Sequence, residues 1–303
     1  MDTPQPTSTA ELPQARASET FTPFAQVPIS FLRSELFSVA KTGLRRDRLG
    51  SKDTKKIAFE SGPLGIDIAC DGPHLNQEHL LAWQAVIYLG KLINGISGEK
   101  FVVPANFILQ MMGKEYRDHD QRKALWKLLV DLQGTRVFLA SHRSRYVGNL
   151  LDAVEKDEAT KQVRIRLNPD LAILLDDETL DNDVMRMAGL GRNLLAMWLN
   201  NYFATWASYR NVTVQELHRM CGTNLDMRRF RYRLREAGET LEACERSYIK
   251  TFRVESDMVY VEKKPTKVKL LKAEDKQKSK GGRFNAQNDA ARRAAAARAK
   301  PCL

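Results

Sequence analysis

The chain is poor in the residues that carry metal, redox or nucleophilic chemistry. Its four cysteines, Cys70, Cys221, Cys244 and Cys302, form no C-x-x-C pair and no disulfide framework. A zinc ribbon and a dithiol redox centre are therefore not encoded, and reduced thiols fit a cytosolic protein. Cys221 and Cys244 fall on apolar faces and read as small core hydrophobes. Cys302, second from the end, fits no prenylation box. The histidines, His74, His79, His119, His142 and His218, make neither H-x-H nor H-x-x-x-H. A rolling-circle nickase needs a metal-binding histidine pair beside a nucleophilic tyrosine, and the pair is missing. The stretch Gly95-Ile96-Ser97-Gly98-Glu99-Lys100 holds glycines and a lysine without Walker spacing, so it reads as a polar turn rather than a phosphate loop. No Ser/His/Asp set or carboxylate pair stands out. The expectation is a protein that is not an enzyme, with no cofactor and no metal. No run of about eighteen apolar residues marks a membrane span, and the polar N-terminus has no apolar core for a signal peptide.

What the chain has is positive charge, unevenly placed. The formal net charge is +11 over 303 residues. Residues 265–303 carry eleven Lys/Arg against three Asp/Glu, which leaves +3 for residues 1–264. The basic end is rich in Lys, Gln, Ala and Arg, with Phe284 its one aromatic residue. It reads as a disordered tail that adds non-specific affinity for a polyanion. Residues 1–25 are rich in Pro, Thr, Ser and Gln and also read as disordered.

Between these ends, hydrophobic spacing defines an order of elements that occurs twice. Helix 77–92 places Leu80, Trp83 and Ile87 inward. Strand 101–103, a helix from Pro104 to Gly113 and helix 118–133 follow, the last with Leu125, Leu128, Leu129 and Leu132 inward. Strands 136–141 and 163–167 then form a hairpin across a long polar connection. The second pass has helix 191–208, strand 211–213, helix 214–221 stopped by Gly222, helix 226–246, and a hairpin of 248–254 and 258–262. Helix, short strand, helix, helix, hairpin is the winged-helix order. The expected fold class is α+β: two tandem winged-helix domains at 56–183 and 184–264, with a flexible N-terminal arm at 1–55 and a basic tail at 265–303.

Helix 226–246 carries the sharpest functional signal. Met227, Phe230, Leu234, Ala237, Leu241 and Cys244 recur every three or four residues and seek a core. Arg228, Arg231, Tyr232 and Arg235 fall opposite, with Arg229 and Arg233 on the flank, and these arginines are expected to stand unpaired. Guanidinium groups in such an array suit phosphates and guanine edges. In the first domain, Arg122, Lys123 and Lys127 on helix 118–133, with Lys114 and Arg117 at its start, are the matching DNA-contact candidates. The turn at Asp257 and the connection near Arg143 and Arg145 are placed to lie on the DNA backbone. His218 reads as a surface or capping residue.

Taken in order, these segments resemble the TrfA-type plasmid replication initiators. The match is clearest in Leu217-His218-Arg219-Met220-Cys221-Gly222, the Arg-rich helix, and Glu236-Ala237 to Glu242-Ala243-Cys244. Gly191-Arg192 with Tyr202-Phe203, Leu80 to Val86, and Arg33-Ser34-Glu35-Leu36-Phe37-Ser38 extend it over roughly residues 30–264. The resemblance implies binding to short direct repeats (iterons) in double-stranded origin DNA, origin opening, and recruitment of host DnaA, the replicative helicase and the sliding clamp. It implies no catalysis, and a place on plasmid DNA in the bacterial cytoplasm. Monomer and dimer both stay open as the binding species. The family's usual clamp-binding sequence is absent in its plain form; Gln26, Ile29 and Phe31 have the spacing that a clamp pocket accepts, although a strand or staple leading into the first domain fits them as well. The tail exceeds the family pattern. The alternative function is a winged-helix transcriptional regulator acting as an autorepressor, which shares every DNA-contact feature.

Overall fold

The computed structural model describes residues 23–40, 55–56, 67–93, 98–114, 119–140, 145–170, 179–206 and 210–264. The basic tail, Arg117 and Arg143 lie outside the described residues. The fold is mixed, with small antiparallel sheets packed among helices. It opens with β1 (Phe24–Pro28) and α1 (Ile29–Leu32), then β2 (Lys55–Lys56) and β3 (Asp67–Asp71).

The first helix–strand–helix–helix–hairpin unit comprises α2 (Gln77–Ile93), β4 (Lys100–Pro104), α3 (Ala105–Met111) and α4 (His119–Gln133). After β5 (Arg136–Ala140) and β6 (Arg145–Asn149) it closes with β7 (Leu151–Lys156) and β8 (Gln162–Leu167). β9 (Thr179–Asp183) and α5 (Val184–Gly189) lead to the second unit. That unit is α6 (Leu194–Ala204), β10 (Arg210–Thr213), α7 (Val214–Met220), α8 (Met227–Ala243), β11 (Ile249–Glu255) and β12 (Met258–Lys263).

The two units share one topology. Their sheets run β4-β8-β7 and β10-β12-β11, with the strand that precedes the second helix paired to the last strand of the hairpin. Both hairpins carry a bulge at the same place, between Leu151 and Ala153 and between Ile249 and Thr251. In both, the first residue of the second helix donates its N–H to the carbonyl just before the last strand: Ala105 to Lys161 and Val214 to Asp257.

The hairpin of the first unit differs from the sequence expectation. Strands 136–141 and 163–167 are not partners. β5 joins β2, β3 and β6 in a four-stranded sheet, and the hairpin is β7 with β8. The supposed polar connection hides two strands because their apolar content is thin. Tyr146, Leu150 and Leu151 are its buried members, and Asn168 Nδ2 donates to the Tyr146 hydroxyl and the Asn149 carbonyl.

The N-terminal arm also differs, and the reason is burial. β1 pairs antiparallel with β9, from Phe24 opposite Asp183 to Pro28 opposite Thr179. Phe31 and Phe37 pack on Trp83 with ring centroids 5.7 and 6.1 Å away. Arg33 stacks 3.7 Å over the Trp206 ring and donates to the Thr205 side chain and carbonyl. Ser38 N–H reaches the Leu75 carbonyl, and Val39 N–H the Cys221 carbonyl. Residues 23–40 are thus a strap across both units rather than part of a loose arm. Gly222, at φ +66°, ends α7 beneath it; a Cβ there would lie 2.8 Å from Ser38 Cβ. One cluster of buried hydrophobic residues runs through the strap and both units.

Side-chain caps set the starts of the second unit's helices. Asn193, Thr213 and Asp226 accept from the N–H groups of Ala196, Glu216 and Arg229. Gly238 of α8 lies against the hairpin, where an added Cβ would stand 2.4 Å from Phe252 Cδ1. Gly238→Ala is expected to destabilise the protein by about 1–3 kcal/mol through overpacking, despite a helix-propensity gain of about 1 kcal/mol. Chemical denaturation measures it, and a stabilised variant would mean that Phe252 moves aside freely.

Candidate nucleic-acid interface

α8 is held by one side and open on the other. Phe230, Leu234, Ala237 and Leu241 are fully buried, as the spacing predicts. Met227 and Cys244, at the ends of the stripe, are half-buried. Arg228, Arg229, Tyr232, Arg233 and Arg235 are exposed, Tyr232 to 61%. The turn ahead of the helix is fixed by His218, whose Nε2 donates to the Leu225 carbonyl at 2.7 Å while its ring meets Phe230 edge-on. His218 is half-buried and serves this turn, rather than the surface or a cap.

The arginines are not all unpaired. Arg229 pairs with Asp226 at 3.4 Å and Arg233 with Glu236 at 2.8 Å, each within one helical turn. Arg231 Nη2 donates to Asp257 Oδ1 of the hairpin turn at 2.8 Å, and its buried Nε has no hydrogen-bond partner. Arg228 and Arg235 have no ion-pair partner among the described residues. They stand seven positions apart on the exposed face, with Tyr232 between them. Glu236 accepts from Tyr232 and pushes its hydroxyl pKa up, which keeps the phenol neutral as a donor. The Arg229 N–H on the Asp226 carboxylate holds that carboxyl below its usual range. Exposed pairs of this kind contribute little to stability and exchange readily for a phosphate.

The first unit brings its candidates together less completely. Lys123 and Lys127 are exposed on α4, and Arg122 is half-buried beside them. Lys114 Nζ pairs with Glu78 at 2.9 Å, which ties the end of α3 to α2. Arg145 is exposed on β6, in the four-stranded sheet and not on the hairpin.

Between α4 and the β7–β8 hairpin lies a cleft of about 290 Å³ that the sequence reading missed. Arg122 and Lys123 from α4, His119 at its start, and Lys156 and Lys161 from the hairpin line it. Its floor includes Leu125, Trp126 and Val163. One carboxylate, Glu158, also lines it and pairs with Lys156 at 2.7 Å. The hydrogen bond from Lys156, aided by the charges of Lys156, Lys161 and His119, draws the Glu158 carboxyl down. The available signal was the pair Lys156 and Lys161 flanking Asp157, which marks a turn once β7 is seen as a strand.

The proposed clamp peptide does not survive as an accessible segment. Ile29 and Phe31 are 3% and 1% exposed, inside the core. Gln26 sits in β1, where its side chain accepts from Lys91. A partner's groove cannot reach these anchors without unfolding the strap. Among the described residues no group of three His, Cys, Asp or Glu is placed to hold a metal, and no helix is long and apolar enough to cross a membrane.

Twofold use of one helix–strand–helix–helix–hairpin unit around a shared core, with a basic helix face on each, defines the class of molecule. Solved structures of domains 2 and 3 of RctB have a similar fold. One of them, a selenomethionine derivative, aligns with TM-score 0.50 and 12% identity over 78% of this chain and 98% of its own. The other aligns with the same TM-score and identity over 78% of this chain and 97% of its own. At that identity the likeness is one of fold alone. No protein-family model and no curated protein matches the sequence.

Proposed function

We propose that this chain is a plasmid replication initiator, in which each unit is a winged helix and α4 and α8 enter the DNA major groove. The observation that carries the reading is the Arg228–Tyr232–Arg235 face, exposed on a helix whose opposite side is locked into the core. A helix so held presents donors in fixed geometry, as groove recognition requires. The topology of the first unit repeats around α4, which supports tandem engagement of a repeated site. The fold shared with domains 2 and 3 of RctB supports an origin-binding initiator without singling out the TrfA type. In this reading the chain binds iterons in origin DNA, acts by binding without catalysis, and hands the opened origin to host DnaA and the replicative helicase.

Selection of duplexes from a random pool by the full chain tests the proposal. Recovery of one short motif, with footprints on direct repeats of it beside the chain's own gene, is the expected result. A pool that shows no enrichment overturns it. Arg235→Ala is expected to cost about 1–3 kcal/mol of affinity for the selected motif and to relax selectivity at one base pair. Its thermal stability should stay at the parent value, because Arg235 is exposed and has no ion-pair partner among the described residues. Equal losses on random and selected duplex would reduce Arg235 to a phosphate contact.

A further inference from the structure

Arg231 differs from its neighbours on α8 in what holds it. It stands one helical turn from both Arg228 and Arg235 and shares their face. Arg229 and Arg233 pair with carboxylates of their own helix, and their side chains are 77% and 63% exposed. The partner of Arg231 comes from elsewhere in the fold: Asp257, in the turn between β11 and β12. The Arg231 side chain is 41% exposed, and its buried Nε has no hydrogen-bond partner among the described residues. Asp257 is itself anchored. Its carbonyl accepts the Val214 N–H at the start of α7 at 2.8 Å, and its neighbour Ser256 takes φ +53° to close the turn. The hairpin tip is thus fixed on α7 by its backbone, and the Asp257 carboxylate reaches from it to α8.

We propose that Asp257 is a positioning residue for Arg231, and that the pair sets sequence specificity by presenting Arg231 to the edge of a guanine. This rests on the DNA-binding reading above. A guanidinium carries its donors in one rigid plane. Asp257 takes a donor of Nη2, and Nε is turned into the protein, so the N–H groups left for a ligand are those of the two Nη nitrogens. Side by side, they match the O6 and N7 acceptors of guanine. The carboxylate has a second effect. Its charge lies 2.8 Å from the guanidinium and cancels the field that would draw in a phosphate of any duplex. A phosphate must displace Asp257 to gain a full charge-assisted pair, whereas a guanine edge is neutral and needs no displacement. Displacement is harder here than for the pairs within α8, because Asp257 sits on a backbone bonded to α7 and the Arg231 stem is half-buried. The pair therefore favours bases over backbone. Arg228 and Arg235, with no ion-pair partner among the described residues, serve either.

Asp257→Asn tests this in the full chain. It removes the charge and keeps the shape of the side chain, and the bond from Val214 is untouched because the Asp257 carbonyl makes it. Glu255→Gln, the same loss of charge two residues away beside Arg253 and Tyr260, is the control. The readouts are motif selection from a random duplex pool, and affinities for selected and random duplexes across a salt series. Asp257→Asn is expected to raise affinity for random duplex about threefold to tenfold and to steepen its log–log salt slope by about one. The ratio of selected to random affinity should fall about tenfold, with the preference for guanine lost at one position. Glu255→Gln should raise both affinities alike, by no more than about twofold. Arg231→Met should lose the same preference, and adding Asp257→Asn to it should change discrimination no further, because the two residues act as one unit. The melting temperature of Asp257→Asn should stay within about 4 °C of the parent. Unchanged discrimination, or equal effects of Asp257→Asn and Glu255→Gln, in a parent that selects a motif overturns the role of the pair and leaves the DNA-binding reading standing. A joint fall of both affinities with a larger melting shift reduces Asp257 to a brace of the hairpin and overturns it as well. A parent that selects no motif overturns both readings.

Discussion

Raising the salt from 50 to 200 mM is expected to weaken duplex binding by the full chain by roughly 10³–10⁵. The exposed cations on α8, Arg228, Arg229, Arg233 and Arg235, and on α4, Lys123 and Lys127, offer donors on two helix faces, and Arg122, Lys156 and Lys161 line a cleft beside one of them. Each phosphate neutralised releases condensed counterions, and six to ten contacts give that range of loss. The internal pairs of Arg229 with Asp226 and Arg233 with Glu236 act in the opposite direction, because they must exchange before either guanidinium takes a phosphate. They are exposed, so the exchange is cheap. A titration on a selected duplex and on a random one separates the contributions: both should steepen, with a gap between them that survives at high salt. A response that is flat on both duplexes would mean that the basic faces do not meet DNA.

Which parts of this were legible beforehand follows from where the physical signal lies. α8 was readable because its two faces differ so sharply: a stripe from Phe230 to Leu241 is buried and the arginines lie opposite. The repeated topology was readable from the order of periodicities alone. The hairpin of the first unit was not, because β6 and β7 alternate weakly and bury a tyrosine and two leucines across twelve residues, so period 2 has little amplitude there. The strap escapes a local pattern for a different reason. Its apolar residues, Val27, Ile29, Phe31, Leu32, Leu36 and Phe37, follow a polar, proline-rich beginning with no regular period, and their burial depends on Trp83 far along the chain. Ion pairs such as Arg231 with Asp257 join residues twenty-six positions apart, and a local pattern cannot register them.

Lys161 and Asp257 hold equivalent places in the two hairpins, an equivalence that exists only in three dimensions. Sequence alignment of the two halves is blocked by the different hairpin turns, 157–161 in one and 256–257 in the other. The backbone bond from Ala105 or Val214 supplies the common reference point.

Trp198→Ala is expected to destabilise the whole described fold by about 3–5 kcal/mol. Trp198 is 1% exposed, stacks on Tyr202 with centroids 5.0 Å apart, and donates its indole N–H to the Ser34 carbonyl at 3.1 Å. Truncation leaves a cavity beside α6 and strands a buried carbonyl in the strap. Because the strap touches both units, the loss should not stay local. Arg33 on Thr205 and Trp206, Val39 on Cys221, and Asn201 on Gln77 all cross between segments that a two-domain division would separate. A single unfolding transition is expected, shifted by roughly 10²–10⁴ in its equilibrium constant. Native-state hydrogen exchange checks this at Leu129 in α4 and Leu234 in α8, both fully buried and far from the substitution in sequence. Both amides should lose protection by similar factors. Loss confined to Leu234, with Leu129 at its parent value, would show that the units unfold independently and that the strap decorates a divided core rather than joining it.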